Sequence, residues 1–153
     1  MKFNTREDIN APIDFVFEQI TDFATFERSV MRRGGDVDRI AIGGADGLDA
    51  QWRVKFQLRG VERDVTATIT EAKKPTLIKM VMTSRSADAD MSVELISLSN
   101  SRTRLSVHVE SVAKTIATKI LFKSIRFAKQ KSEGRFKAVV ASFAVDIEKR
   151  YRA

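Results

Sequence analysis

The chain has 153 residues, 43% of them hydrophobic and 31% charged, the balance of a globular unit able to bury roughly two-thirds of its unfolded surface. Without cysteine, and with one His, one Tyr and one Trp, it cannot form disulfides, thiolate metal sites, iron–sulfur clusters or a cysteine nucleophile, and its catalytic repertoire is thin. The net charge of +7 is uneven: residues 1–113 carry a net −1 and residues 114–153 a net +8.

Size leaves no room for a second core, so residues 1–153 are expected to form a single domain. The opening residues Met1 to Asp8 lack the apolar run of a leader or anchor, and no interior stretch approaches the roughly 18–20 apolar residues of a membrane span. A cytoplasmic location is the resulting expectation.

Phe3, Thr5 and Ile9 alternate with polar neighbours, which predicts a half-buried strand. Asn10 is the expected cap of a first helix that starts near Pro12 and buries Ile13, Val16, Phe17 and Ile20. A second short helix is expected from about Asp22 to Met31, closed by Gly34-Gly35. Strands then follow one another to about Ala113. Val37 to Ile42 is the first, and Trp52, Val54, Phe56 and Leu58 form the dry face of the next. A two-residue Arg59-Gly60 turn sets Leu58 opposite Val61, Phe56 opposite Arg63, Val54 opposite Val65 and Trp52 opposite Ala67. Three more strands cover Leu77 to Ser84, about Ala87 to Leu98, and Arg102 to Val112. In the last hairpin, a three-residue Ser99-Asn100-Ser101 loop with a bulge pairs Leu95 with Leu105, Val93 with Val107 and Met91 with Val109. A two-residue loop would put the dry faces on opposite sides.

The tail from Lys114 reads as helix. Phe136, Val139, Val140, Phe143, Ile147 and Tyr151 share one stripe. Nearer its start there are two stripes, Leu121 with Ile125 and Ala128, and Ile116 with Ile120 and Phe127, separated by roughly 120°. A kink is expected near Gly134.

The junction Ile9-Asn10-Ala11-Pro12-Ile13-Asp14-Phe15-Val16-Phe17, followed by Asp22-Phe23 and Phe26, is similar to the strand-to-helix opening of the START-like, birch-pollen-allergen-like helix-grip superfamily (SRPBCC), which includes polyketide cyclase/dehydrase-like proteins. With the strand count and the terminal helix, the resemblance spans the whole chain. It implies an α+β helix-grip fold: a seven-stranded curved antiparallel sheet wrapped around a long C-terminal helix, two short helices after strand 1, and a cavity for an apolar ligand.

The alternation places such a cavity among Trp52, Val54, Phe56, Val65, Met80, Met82, Met91 and Val93, opposed by Phe136, Val140 and Phe143 from the helix. The methionines are either adaptable ligand contacts or plain core. Arg63 shares this dry face, where an unpaired charge is costly. It is either an anchor for a carboxylate or enolate, or a side chain snorkelling at the rim. Glu7 and Glu71 carry the same two alternatives. His108 points to the wet face, away from the cavity. Neither Asp36-x-Asp38 nor Asp88-x-Asp90 has the flanking oxygen ligands of a cation loop, and Gly43 to Gly47 lacks phosphate-loop spacing. No cofactor or metal is implied, and no catalytic constellation assembles.

The leading expectation is therefore binding, transport or sequestration of a small hydrophobic molecule such as a lipid, quinone or polyketide-like aromatic. A cyclase or dehydratase using Arg63 with a rim glutamate is the enzymatic alternative. A third reading takes residues 114–137, where Lys119, Lys123, Arg126 and Lys137 flank the second stripe, as a surface for an anionic membrane or a second protein. The same stripe could instead pack on the N-terminal helices or across a homodimer. Nucleic acid is not expected, because stacking aromatics are missing from the wet faces.

Overall fold

The computed structural model describes residues 1–153. β1 (Lys2–Ile9) leads into α1 (Ile13–Ile20) and α2 (Phe23–Arg32). The strands β2 (Asp36–Ala41), β3 (Gln51–Leu58), β4 (Val61–Lys73), β5 (Leu77–Thr83), β6 (Ala87–Ser99) and β7 (Arg102–Ala113) follow, then α3 (Ile116–Phe127) and α4 (Lys129–Arg152). All seven strands form one antiparallel sheet in the order β1-β7-β6-β5-β4-β3-β2. The expected helix-grip architecture is therefore present.

Register follows the alternation. Phe56 pairs with Arg63 and Val54 with Val65 across a two-residue turn in which Arg59 and Gly60 have φ of +53° and +75°. Two positive φ values make this a turn that matches strand twist, and Gly60 accommodates one of them without strain. Leu95 pairs with Leu105 and Val93 with Val107, as the hydrophobic pattern requires. The extra residue of that hairpin sits inside β6 at Leu98, between the Ser97–Thr103 and Ser99–Arg102 pairs, rather than in the loop.

The core gathers at one end of the grip. Ile9, Ile69, Ile78, Leu95 and Leu105 from the sheet meet Val16 and Phe17 of α1 and Val140, Ala144 and Ile147 of α4. Thr103, also buried, donates its hydroxyl to the Ala11 carbonyl at 2.8 Å and so ties the β1–α1 junction to β7. Trp52 is 0% exposed beneath α2, its ring 4.9 Å from Phe23 and 6.0 Å from Phe26. Its Nε1 donates to Glu27, which also accepts from Arg39 Nε at 2.6 Å.

Several local expectations change. Pro12, not Asn10, occupies the cap position of α1, and no side chain bonds there. The Asn10 backbone N–H instead donates to Glu148 of α4 at 2.7 Å. The helical tail breaks at Ala128, and Gly134 lies unbroken within α4. The cause is that α3 and α4 bury differently directed stripes. α4 lies along β1, with Phe136 5.6 Å from Phe3, and buries Val140, Ala144 and Ile147. Val139 and Phe143, on the shoulder of that stripe, stay 48% and 38% exposed.

The convex face is laced with ion pairs. Asp8 at the end of β1 accepts from Arg104 at 2.9 Å and Arg102 at 3.3 Å on β7. The Arg104 hydrogen bond is the main reason its carboxyl titrates below the ordinary range. Because the folded-state value is depressed, this stabilisation is complete above the unfolded-state titration and is lost as pH falls through the folded one. Urea unfolding followed from about pH 6 to about pH 3 should therefore show stability falling with acid, and Asp8→Asn should make the fall shallower.

Candidate functional site

Two of the hollows that border the sheet differ sharply in size and chemistry. The larger, about 1060 Å³, runs along β1 and around its edge onto the convex face, between Lys2 to Arg6, Ser106, His108 and the first turns of α4. Polar side chains dominate its lining. The smaller, about 180 Å³, lies on the concave side and is mainly apolar. Size favours the first and chemistry the second, since ligand sites are concave, apolar and furnished with few polar groups.

The smaller pocket is built by three pieces of chain. The β3–β4 hairpin supplies Phe56, Leu58, Arg63 and Val65. The β5–β6 hairpin supplies Met82, Ser84, Ser86, Ala87, Asp88 and Ala89. α3 closes the pocket with Thr118, Leu121 and Phe122, and Ser111 of β7 completes it. Local chemistry fixes two of these pieces. Ser84 both donates to the Ala87 carbonyl and accepts from the Ala87 N–H, which shapes the β5–β6 turn. Thr115 caps α3 by accepting from the Thr118 N–H at 3.2 Å.

Arg63 is the exceptional group. Its Nε is sealed from water and has no hydrogen-bond partner. Asp64, next in the chain, pairs with Arg53 on the convex face, and Asp88, which lines the same pocket, pairs with Lys114 at 3.4 Å. A buried donor left unmatched costs about 1–3 kcal/mol. Arg63 as a whole is half-buried, and it lines the pocket together with Val65, Met82 and the partly exposed Phe56.

Of the expected lining, Phe56, Arg63, Val65 and Met82 come together at this pocket. Val54, Met80, Val93 and Phe136 are half-buried neighbours of the core farther along the grip, and Met91 is half-buried beside Met80. Val140 is buried in the core, and Phe143 stays partly exposed on α4. Trp52 belongs to the packed end, its indole held by Phe23, Phe26 and Glu27, so it forms the floor beyond the pocket. Leu58, Leu121, Phe122, Thr118 and the serines are not among the cavity residues expected from the sequence. The stripe shared by Leu121 and Ile125 was the available signal for α3.

The glutamates do not join Arg63. Thr70 is an extra residue between the Ile69–Met80 and Glu71–Lys79 pairs, and this bulge turns Glu71 to the convex face. There hydrogen bonds from Lys73 first, then Lys79, hold its carboxyl below the ordinary range. Glu7 keeps to the inner side of β1, at the opposite edge of the sheet from β4 and outside the pocket. The pairing of Arg63 with a rim glutamate that proton transfer requires is not formed. His108 sits on the convex side between Asn4 and Ser92, and Tyr151 packs on Phe15 at 4.9 Å. No three His, Asp or Glu side chains gather in a metal-holding group.

No protein-family model matches the chain, and no curated protein matches it in sequence. Solved structures do match. The Zhui aromatase/cyclase from Streptomyces sp. R1128 aligns with a TM-score of 0.69 at 14% identity, over 100% of this chain and 96% of that one. A START superfamily protein from Mycobacterium smegmatis aligns at 0.59 and 13% identity, over 88% and 95%. Ara h 8.0201 aligns at 0.60 and 14% identity, over 99% and 97%. The chain has the START-like, birch-pollen-allergen-like helix-grip fold. Identities this low carry the fold and not the activity of any one relative.

The unmatched Nε–H of Arg63 makes a stability prediction of unusual sign. Arg63→Met keeps an apolar stem and removes the orphaned donor, so the unfolding free energy measured in urea should be unchanged or higher by up to about 1–3 kcal/mol. A clear loss of stability would show that Arg63 is satisfied in solution.

Proposed function

We propose that this protein binds a small, mainly apolar molecule bearing an anionic or enolate-like oxygen, in the pocket enclosed by the β3–β4 hairpin, the β5–β6 hairpin and α3. The observation that carries the reading is the Arg63 Nε, buried without a partner against an apolar wall. Burial of the ligand's apolar surface supplies affinity at about 25 cal/mol per Å². A charge-assisted bond to the waiting donor sets orientation, contributing about 1.5–3 kcal/mol. Fatty acids, quinone-derived enolates and polyketide-like aromatics share this chemistry. The helix-grip fold, common to an aromatase/cyclase and a START superfamily protein, is consistent with such a ligand.

The pocket's volume, about 180 Å³, is below the roughly 300–1000 Å³ of typical ligand sites. A larger ligand would extend into the concave hollow, where Val54, Met80, Met91 and Val93 remain half-buried, or displace α3. That helix buries only Thr118 completely. Elements with so little burial open at low free energy. The reading is one of binding or carriage rather than catalysis, because the one carboxylate that lines the pocket, Asp88, is paired with Lys114.

Calorimetric titration with a matched pair, a medium-chain carboxylic acid and its methyl ester, tests the proposal. The acid should bind saturably and more tightly than the ester, and Arg63→Met should weaken the acid by about 10- to 100-fold while sparing the ester. Equal affinities for the pair, or an Arg63→Met variant that keeps the preference, would refute the assigned role.

A further inference from the structure

α3 has an outer face that the fold leaves bare. Ile116 is 77% exposed, Ile120 64% and Phe127 94%. At 100° per residue these three fall within about 40° of one another, while Thr118, Leu121, Phe122 and Ile125 point the other way, toward the pocket and sheet. The second stripe is therefore covered by neither the N-terminal helices nor any other part of the chain. Lys123, Lys119 and Arg126 border it on one side. From Lys114 to Ser132 there are six cations and no acid. Of these, only Lys114 and Lys129 have acidic partners.

A second element extends the same surface. Arg59, at the tip of the β3–β4 hairpin, reaches Ser124 of α3 with Nη1 at 3.5 Å from its hydroxyl. Leu58 and Val61, on either side of that turn, are exposed. Two separate pieces of chain at the pocket's mouth thus present apolar side chains edged by unpaired cations.

We propose that α3 and the β3–β4 tip dock on an anionic lipid surface, with Ile116, Ile120 and Phe127 entering the headgroup–acyl boundary and Lys119, Lys123 and Arg126 meeting lipid phosphates. Interfacial helices have this composition: a narrow apolar face, a basic flank and no acids. A second copy of the chain fits less well. A two-fold contact would set the three cations against their own counterparts, and three exposed side chains on one 12-residue helix fall short of the roughly 800 Å² per partner of a stable interface. Docking uses the exposed face of α3 and the β3–β4 tip and does not require a ligand in the pocket.

The test is flotation of the full chain with phosphatidylcholine vesicles, with and without about 30% phosphatidylserine, at low and high salt. Binding should require phosphatidylserine, weaken at least tenfold at high salt, and fall at least tenfold in Ile120→Ser/Phe127→Ser and in Lys119→Glu/Lys123→Glu. Both variants alter exposed positions, so circular dichroism should show unchanged folding. Arg63→Met should float like the unaltered chain, which separates this inference from the ligand proposal. Three results would overturn it: no flotation with anionic vesicles, flotation indifferent to both double variants, or sedimentation showing a dimer that Ile120→Ser/Phe127→Ser dissolves.

Discussion

A seven-stranded sheet has a dry face wider than one helix can cover, and this mismatch governs the rest of the molecule. Six inter-strand steps at about 4.8 Å span about 29 Å, whereas a helix with its side chains is about 10 Å across. α4 lies along β1. The remaining concave surface must be covered by α1 and α2 at one end, closed by α3 at the other, or left for a ligand. The first solution produces the core around Trp52, Ile69 and Leu105. The second produces the small pocket, and between them a run of half-buried apolar side chains remains.

Arg63 distinguishes the two ends of the grip. At the packed end, every buried polar side chain has a partner: Thr103 bonds the Ala11 carbonyl, and Glu27 takes both the indole of Trp52 and the guanidinium of Arg39. At the α3 end, the buried Nε of Arg63, on the same dry face, has none. Under the proposed function, a ligand oxygen supplies the acceptor that this one exception lacks. An unmatched buried donor of this kind costs about 1–3 kcal/mol, which the proposed ligand would offset.

Much of this was legible in the residues. Period-2 alternation set the β3–β4 and β6–β7 registers, because a one-residue slip would have turned Trp52, Val54 and Phe56 to solvent. It also placed Arg63 on the inner face. Alternation fails at bulges, since an inserted residue exchanges the faces without altering composition. Thr70 is such a residue, and it moved Glu71 outward. Trp52 shows a second limit. Its strand position is visible in the sequence, but whether an inward aromatic lines a hollow or is sealed by a helix depends on where α2 docks. The double stripe of residues 116–127 declared two faces, and which one stays bare depended on the break at Ala128.

The central claim is that Arg63 waits for an anionic oxygen at the end of an apolar pocket. Its most direct test is a crystal structure of the protein with a medium-chain carboxylic acid bound. The account predicts one carboxylate oxygen within about 3.2 Å of Arg63 Nε, and the chain lying against Phe56, Val65 and Met82 beneath Leu121 and Phe122. A ligand seated in the polar groove along β1, or one whose carboxylate points to solvent while Arg63 Nε stays unpaired, would contradict it.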